Sequence, residues 1–232
     1  MLKNAIVLCS GGLDSVTTAH YAKKQLKYDN LIILFFDYNQ RNKDAEEKCS
    51  RLCAKNLKAE FIKIDLPFLS KISTSMLNTN NEARKISKKD LKDTKKESSV
   101  WYVPFRNALF LSYATALAES LFVKSKNKDE YDIFVGFKHE GKENYPDTTP
   151  GFVKDVNKLN KATMAKPKVF APLIKKDKED IVRLALKMGI EVNQTHSCYT
   201  SNSKHCGICL SCQLRRQGFY WANQKDETEY LN

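Results

Sequence analysis

The chain has 232 residues, 42% of them hydrophobic, and carries 39 Lys and Arg against 27 Asp and Glu, a formal charge of +12. That apolar content excludes a disordered chain; no apolar run is long enough to cross a bilayer and no secretion signal opens the sequence, so a soluble cytoplasmic protein is expected. Much of the positive excess sits in Lys85–Lys96 without interleaved aromatics, which reads as solvated surface rather than a nucleic-acid face.

In chain order, Asn4–Cys9 is a short apolar run that ends in a glycine loop and is followed by a helical pattern over Asp14–Leu26. Leu31–Phe36 reads as a buried strand, Asp44–Asn56 as a helix and Ala59–Ile64 as a third strand. Between Ser70 and Ser99 the pattern breaks into Ser, Thr, Asn and Lys, and residues 72–99 are expected to form a variable, partly mobile insertion over the active-site face. Asn107–Phe122 is a long apolar helix, Tyr131–Val135 a fourth strand and Val169–Pro172 a short fifth. The helix over Asp177–Met188 stops at Gly189. Near-continuous apolar strands alternating with amphipathic helices predict an α/β fold, a doubly wound, Rossmann-like, parallel five-stranded sheet with ligands at its carboxyl ends.

Ser10-Gly11-Gly12-Leu13-Asp14-Ser15 lies where a strand turns into a helix. Two glycines let the backbone turn tightly and present its N–H groups to phosphate oxygens, while the serine hydroxyls and the helix N-terminus add positive potential. The Gly-Lys-Ser/Thr ending of a Walker A loop is missing. Such a loop suits a β,γ-pyrophosphate that leaves as a unit after attack at the α-phosphorus of ATP.

Seven cysteines, an odd number, do not suggest a disulfide framework in a reducing compartment. Cys198, Cys206, Cys209 and Cys212 cluster near the end of the chain, the last three spaced CxxCxxC. Four thiolates make a closed tetrahedral site, so a structural Zn²⁺ is expected, with an iron–sulfur cluster as the alternative. His196 and His205 border that site and are expected to be exposed. Cys49 and Cys53, one helical turn apart, read as core or half-buried thiols, and Cys9 as a packing residue beside the loop.

The N-terminal loop and the C-terminal cysteines together resemble the 7-cyano-7-deazaguanine synthases, and further segments match that family in order. Asp37-Tyr38-Asn39-Gln40-Arg41 is similar to its Asp-Tyr-Gly-Gln-Arg, and Tyr102-Val103-Pro104-Phe105-Arg106-Asn107 to its Tyr-Val-Pro-Gly-Arg-Asn. Tyr145-Pro146-Asp147 with Phe152 resembles Tyr-Pro-Asp-Cys-Arg-x-x-Phe; Pro172-Leu173 with Lys178-Glu179-Asp180-Ile181, Ser197-Cys198-Tyr199, and Arg215 complete the series. The chain departs from the pattern at Thr148 and Thr149, where the family shows Cys and Arg, at Asn39, which replaces a glycine, and at Phe105.

The resemblance implies an adenine nucleotide alpha hydrolase-like domain over 1–190 and a zinc-binding helical appendage over 191–232. It implies that 7-carboxy-7-deazaguanine, ammonia and ATP are the substrates and that a nitrile is made through adenylate and amide intermediates, with queuosine or archaeosine pathways as destination. Cys9, Ser10, Gly11, Gly12, Leu13, Asp14, Ser15 and Phe36 are expected around ATP, Asp14 ordering the loop or a Mg²⁺. Asp14, Arg41, Arg106 and Lys178 are the expected catalytic groups, the cations neutralising phosphate or carboxylate charge. Gln40, Arg106, Asn107, Tyr145, Asp147 and Phe152 are expected around the deazaguanine, with Asp147 accepting from a guanine-like edge and Phe152 stacking on the ring. Relatives often dimerise, and a homodimer is open; neither a membrane nor a nucleic-acid partner is expected. The alternatives are a relative that stops at the amide or joins the acid to another amine, as in antiviral systems, a tRNA-adenylating enzyme, and a zinc module with a degenerate nucleotide site.

Overall fold

The computed structural model describes residues 2–79, 85–86, 90–92, 94–139 and 145–232. The parts of the expected insertion at 80–84, 87–89 and 93 lie outside these. Strand β1 (Asn4–Leu8) leads into helix α1 (Leu13–Lys24), β2 (Asn30–Asp37) into α2 (Lys43–Leu57), and β3 (Glu60–Asp65) into the short α3 (Phe68–Ile72). Then come α4 (Lys95–Trp101), α5 (Arg106–Lys124), β4 (Tyr131–Val135), α6 (Pro150–Asn160), β5 (Val169–Phe170), α7 (Lys178–Lys187) and α8 (Leu210–Trp221).

All five strands pair in parallel in the order β3-β2-β1-β4-β5. The order reverses at β1, so the loop after it opens at the topological switch point, where such sheets bind ligands. Alternation along the strands divides the core. Ala5, Val7, Ile33 and Phe134 face α1, α7 and Phe219 of α8, while Ile6, Ile32, Leu34, Phe36 and Ile133 face α5 and the cysteine cluster. Both faces are covered, which is why the strands read as continuous apolar runs rather than alternating ones.

The strand and helix expectations match these elements, with ends differing by a few residues. The short α3, α4 and α6 were not anticipated. α4 carries Lys, Glu and Ser and is held by burying Trp101 and Ser98; α6 starts at Pro150, its first N–H groups capped by the Thr149 side chain, which accepts from Phe152 N at 3.1 Å. The described parts of residues 72–99 pack over the sheet's carboxyl end. Ile86 is buried and its N–H donates to Ile208 O at 3.1 Å, and Arg41 N donates to Leu77 O at 2.8 Å.

Asn39 and Phe105, two of the departures from the family pattern, both adopt left-handed backbone, with φ of 58° and 59°. A glycine takes that conformation freely, an asparagine at modest cost and a phenylalanine with strain. Phe105 is 66% exposed, so burial of its ring does not offset the strain.

Candidate active site

The glycine loop is shaped by what presses on it. Gly11 has φ of 77°, and a Cβ there would lie 2.5 Å from Glu46 O and 2.7 Å from Cys49 Cβ. A Cβ at Gly136, just past β4, would lie 2.9 Å from Ser15 N. These two glycines let α2 and the end of β4 close on the loop from opposite sides. Gly12 is the N-cap residue of α1 and no side chain caps the helix among the described residues. The first N–H groups of α1 are therefore left for a ligand. The hydroxyls of Ser10 and Ser15 stand 3.4 Å apart, Ser15 Oγ donates to Gly12 O at 3.1 Å, and His196 N donates to Gly11 O at 2.9 Å.

Beside the loop, Lys178 Nζ lies 2.6 and 2.8 Å from the two carboxylate oxygens of Asp14. Lys178 is the first residue of α7, and its stem passes over Gly218 of α8, where a Cβ would lie 2.6 Å from Lys178 Cγ. A helix far along the chain thus delivers a cation to the glycine loop, and a glycine on another helix leaves the space for it.

Loop, lysine and three further elements enclose a cavity of about 300 Å³ at the carboxyl ends of β1, β2 and β4. Phe36 and Phe110 stack with ring centroids 4.1 Å apart and form an aromatic wall; Tyr102 and Tyr145 stand 6.0 Å apart on another side. Arg106 at the start of α5 donates through Nη1 to Tyr38 OH at 3.0 Å and lies over the Tyr38 ring. Burial opposes the charge of its guanidinium, but Tyr38, Asp147 and Glu46 around it more than offset that and hold it charged. Asp147 Oδ2 accepts from Asn107 N at 3.2 Å, while Oδ1 is buried without a partner among the described residues. Burial raises the Asp147 carboxyl against the opposing effects of Arg106 and Asn107.

Of the residues singled out in the sequence, Cys9, Ser10, Gly12, Leu13, Asp14, Ser15, Phe36, Gln40, Arg106, Asn107, Tyr145, Asp147 and Lys178 line this cavity. Gly11 lies behind the loop, and Arg41 lies outside the lining. Phe152 packs against the cavity residue Phe137 with centroids 6.4 Å apart, one layer behind the wall. The two threonines part company: Thr148 lines the cavity, whereas Thr149 is spent on capping α6. Glu46, Phe110, Lys138 and His196 also line it and were not singled out as binding groups. Glu46 had a faint signal. It heads the stripe Glu46, Cys49, Ser50, Cys53, spaced as one helix face, so an acid stands at the end of a row of small residues, of which Ser50 and Cys53 are buried.

The thiol sulfurs of Cys198, Cys206, Cys209 and Cys212 all lie within 4.8 Å of one another, and all four residues are buried. Backbone N–H groups point at the sulfurs, from Thr200 and Cys206 to Cys198 Sγ at 3.4 and 3.3 Å and from Cys209 to Cys206 Sγ at 3.3 Å. Converging thiols supplied with N–H donors fit a metal ion held by four thiolates, whose charge those donors would share. Arg215, fully buried on α8, holds the two ends of this tail together, donating to Thr195 Oγ1, Ser197 Oγ, Val192 O and Thr228 Oγ1 at 2.7–3.0 Å. His196 and His205 are not exposed as expected. They are 4% and 6% exposed, because the two ends of the segment 195–205 turn inward, and His205 Nε2 accepts from Ser197 N at 2.9 Å.

A family model described as Queuosine biosynthesis protein QueC matches residues 4–223. The chain belongs to this family. It is 39% identical to a 7-cyano-7-deazaguanine synthase of a Nitratiruptor species, over 97% of this chain and 98% of that protein. It is 35% identical to a 7-cyano-7-deazaguanine synthase of Methanoculleus marisnigri, over 99% of each. A solved NMN synthetase from Francisella tularensis superposes with a TM-score of 0.46 and 13% identity, covering 97% of this chain and 79% of that one. As members of the QueC family are ATP-using synthases of small molecules, the cavity is where such chemistry is sought. No described helix is long and apolar enough to cross a membrane.

Proposed function

We propose that the protein is a 7-cyano-7-deazaguanine synthase, converting 7-carboxy-7-deazaguanine and ammonia to the nitrile at the expense of ATP. The observation that carries this reading is the joining of three things in one cavity: a phosphate loop at an uncapped helix N-terminus, the Lys178–Asp14 pair beside it, and Asp147 with an unpartnered buried oxygen in an aromatic enclosure.

The 7-carboxylate attacks the α-phosphorus of ATP, giving an acyl-adenylate and pyrophosphate. Ammonia displaces AMP to form the amide. A second ATP activates the amide oxygen, and loss of AMP leaves the nitrile. The protein's part is positioning and charge stabilisation. Ser10, Gly12, Leu13 and Ser15 hold the pyrophosphate, Lys178 and Arg106 neutralise charge on phosphate and carboxylate, and Asp14 would bind a Mg²⁺ when Lys178 turns to the phosphates. Arg41, outside the cavity lining, is a weaker candidate for that role and depends on movement of its loop. Asp147 Oδ1 accepts from the ring N–H and amino group of the deazaguanine, Gln40, Asn107 and Tyr145 complete its polar rim, and Phe152 supports the wall rather than stacking on the ring. Cys198, Cys206, Cys209 and Cys212 hold Zn²⁺ as a structural ion. Residues 1–190 form the catalytic domain and 191–232 the zinc-bound tail, in a cytoplasmic enzyme whose homodimerisation is open to test.

The test is direct. Protein incubated with the carboxy-deazaguanine, ATP, Mg²⁺ and ammonium should yield the nitrile by mass spectrometry. Amide accumulating alone would place the enzyme with relatives that stop there, and turnover of tRNA instead of the free base would replace the reading.

A further inference from the structure

Amide formation needs something the groups assigned so far do not supply. When ammonia displaces AMP, the nitrogen lone pair forms the C–N bond, the C–O electron pair leaves with AMP, and one N–H proton must pass to a base. Three described carboxylates line the cavity: Asp14, Glu46 and Asp147. Lys178 engages both oxygens of Asp14, and Asp147 faces the expected ring edge with one oxygen on Asn107 N. Glu46 has no assignment.

We propose that Glu46 is the proton acceptor of the amidation step, taking the proton that the attacking nitrogen loses as the C–N bond forms and AMP departs. This rests on the deazaguanine-carboxylate reading above. Charge balances, since the carboxylate becomes neutral while AMP leaves with one more negative charge than the adenylate carried.

Glu46 stands in the first turn of α2. Its Oε2 accepts from Gln40 Nε2 and its Oε1 from Asn42 Nδ2, each at 3.0 Å. Both amides are themselves fixed. Gln40 Nε2 also donates to Phe36 O at 3.0 Å while Gln40 Oε1 accepts from Tyr38 N at 2.8 Å; Asn42 Nδ2 also donates to Cys198 O at 2.7 Å. One neutral N–H on each oxygen orients the carboxylate and leaves each oxygen able to accept once more. The backbone carbonyl of Glu46 lies against Gly11, so the carboxylate and the pyrophosphate loop share a wall of the cavity. Cys9 at the end of β1, Tyr38 after β2, Cys49 on α2 and Arg106 on α5 are the titratable and charged groups around it. Burial pushes its carboxyl up to about 7, against the opposing effects of Gln40, Arg106 and Asn42. A carboxylate tuned there both gains and releases a proton at neutral pH.

Adenylation makes no such demand, because a carboxylate attacks phosphorus without losing a proton. The two steps therefore separate in a test. Acid-dependent exchange of labelled pyrophosphate into ATP, measured without ammonia, reads adenylation; amide and nitrile formation read amidation. In Glu46→Gln, product formation should fall roughly 10²- to 10⁴-fold beyond whatever fall exchange shows through the loss of its contact to Gln40, the usual contribution of a positioned base. With free NH3 held constant across the series, the wild-type amidation rate should rise through about pH 7, the variant should lack that limb, and Glu46→Asp should recover part of it. Equal loss of exchange and product in both variants would assign Glu46 only to holding Gln40 and Asn42 and overturn the proposal, as would unchanged amidation in Glu46→Gln. Absence of acid-dependent exchange in wild type would remove the substrate reading itself, and this role with it.

Discussion

Gly218→Ala tests whether α8 controls the phosphate loop through Lys178. In a helix interior this change alone should stabilise by about 0.5–1 kcal/mol, from propensity and chain entropy. The contact reverses the sign. The new methyl would sit 2.6 Å from Lys178 Cγ, 3.2 Å from its Cβ and 3.3 Å from its carbonyl carbon, atoms near the backbone rather than a flexible tip. Relief requires α7 to shift or Lys178 to change rotamer, at about 1–3 kcal/mol for overpacking of this kind. Either movement lengthens the 2.6 and 2.8 Å contacts to Asp14, a charge-assisted pair whose side chains are only 16% and 25% exposed and which contributes roughly 1.5–3 kcal/mol. The expected result is a melting temperature lower by about 2–6 °C for a chain of this size, with kcat/KM for ATP reduced roughly 10- to 100-fold. Thermal unfolding and acid-dependent pyrophosphate exchange measure the two effects. A variant more stable than wild type with unchanged ATP kinetics would show that α7 and α8 give way freely and that Lys178 is not positioned by this packing.

Phe105→Gly should raise stability by up to about 1 kcal/mol in urea unfolding, since glycine relieves the left-handed backbone at the start of α5 and an exposed ring loses little contact; a drop in stability would show that the ring has a packing role. Metal analysis should find about one zinc per chain, and chelation or Cys209→Ser should loosen the tail around Arg215, lowering thermal stability by several kcal/mol; an iron-containing, coloured protein would refute the four-thiolate zinc assignment. His20 is buried with Nδ1 unpartnered among the described residues, and burial followed by repulsion from Lys24 lowers its imidazole from 6.5 to about 4. Between those values the unfolded chain binds more protons than the folded one, so this group adds stability as pH rises from about 4 to 6.5, up to roughly 3 kcal/mol. Urea midpoints of His20→Leu should flatten across that window, and a slope equal to wild type would refute the effect.

Several features were legible in the sequence because they depend on local order. The five strands and helices α1, α2, α5 and α7 followed from apolar runs and 3.6-residue spacing, and the tight loop from two glycines at a strand–helix junction. The four thiols followed from close spacing, and most of the cavity-lining residues from segments that resemble a family. His196 and His205 were misjudged because their burial depends on how the two ends of 195–205 turn inward, which spacing does not encode. Arg41 and Phe152 sit in matched motifs, yet the direction of a loop and the cap at Thr149 leave them outside the cavity lining.

What the amino-acid order determined by itself was the set of local parts: a glycine loop at a helix start, a parallel sheet to carry it, and four thiols that could hold a metal. Only the tertiary structure decided which charges meet. Lys178 reaches Asp14 across 164 positions of chain, and Glu46 joins the cavity because Gly11 lets α2 approach the loop. Such pairings depend on packing between distant elements, where missing methyl groups set the approach, and no local pattern in the sequence records that distance.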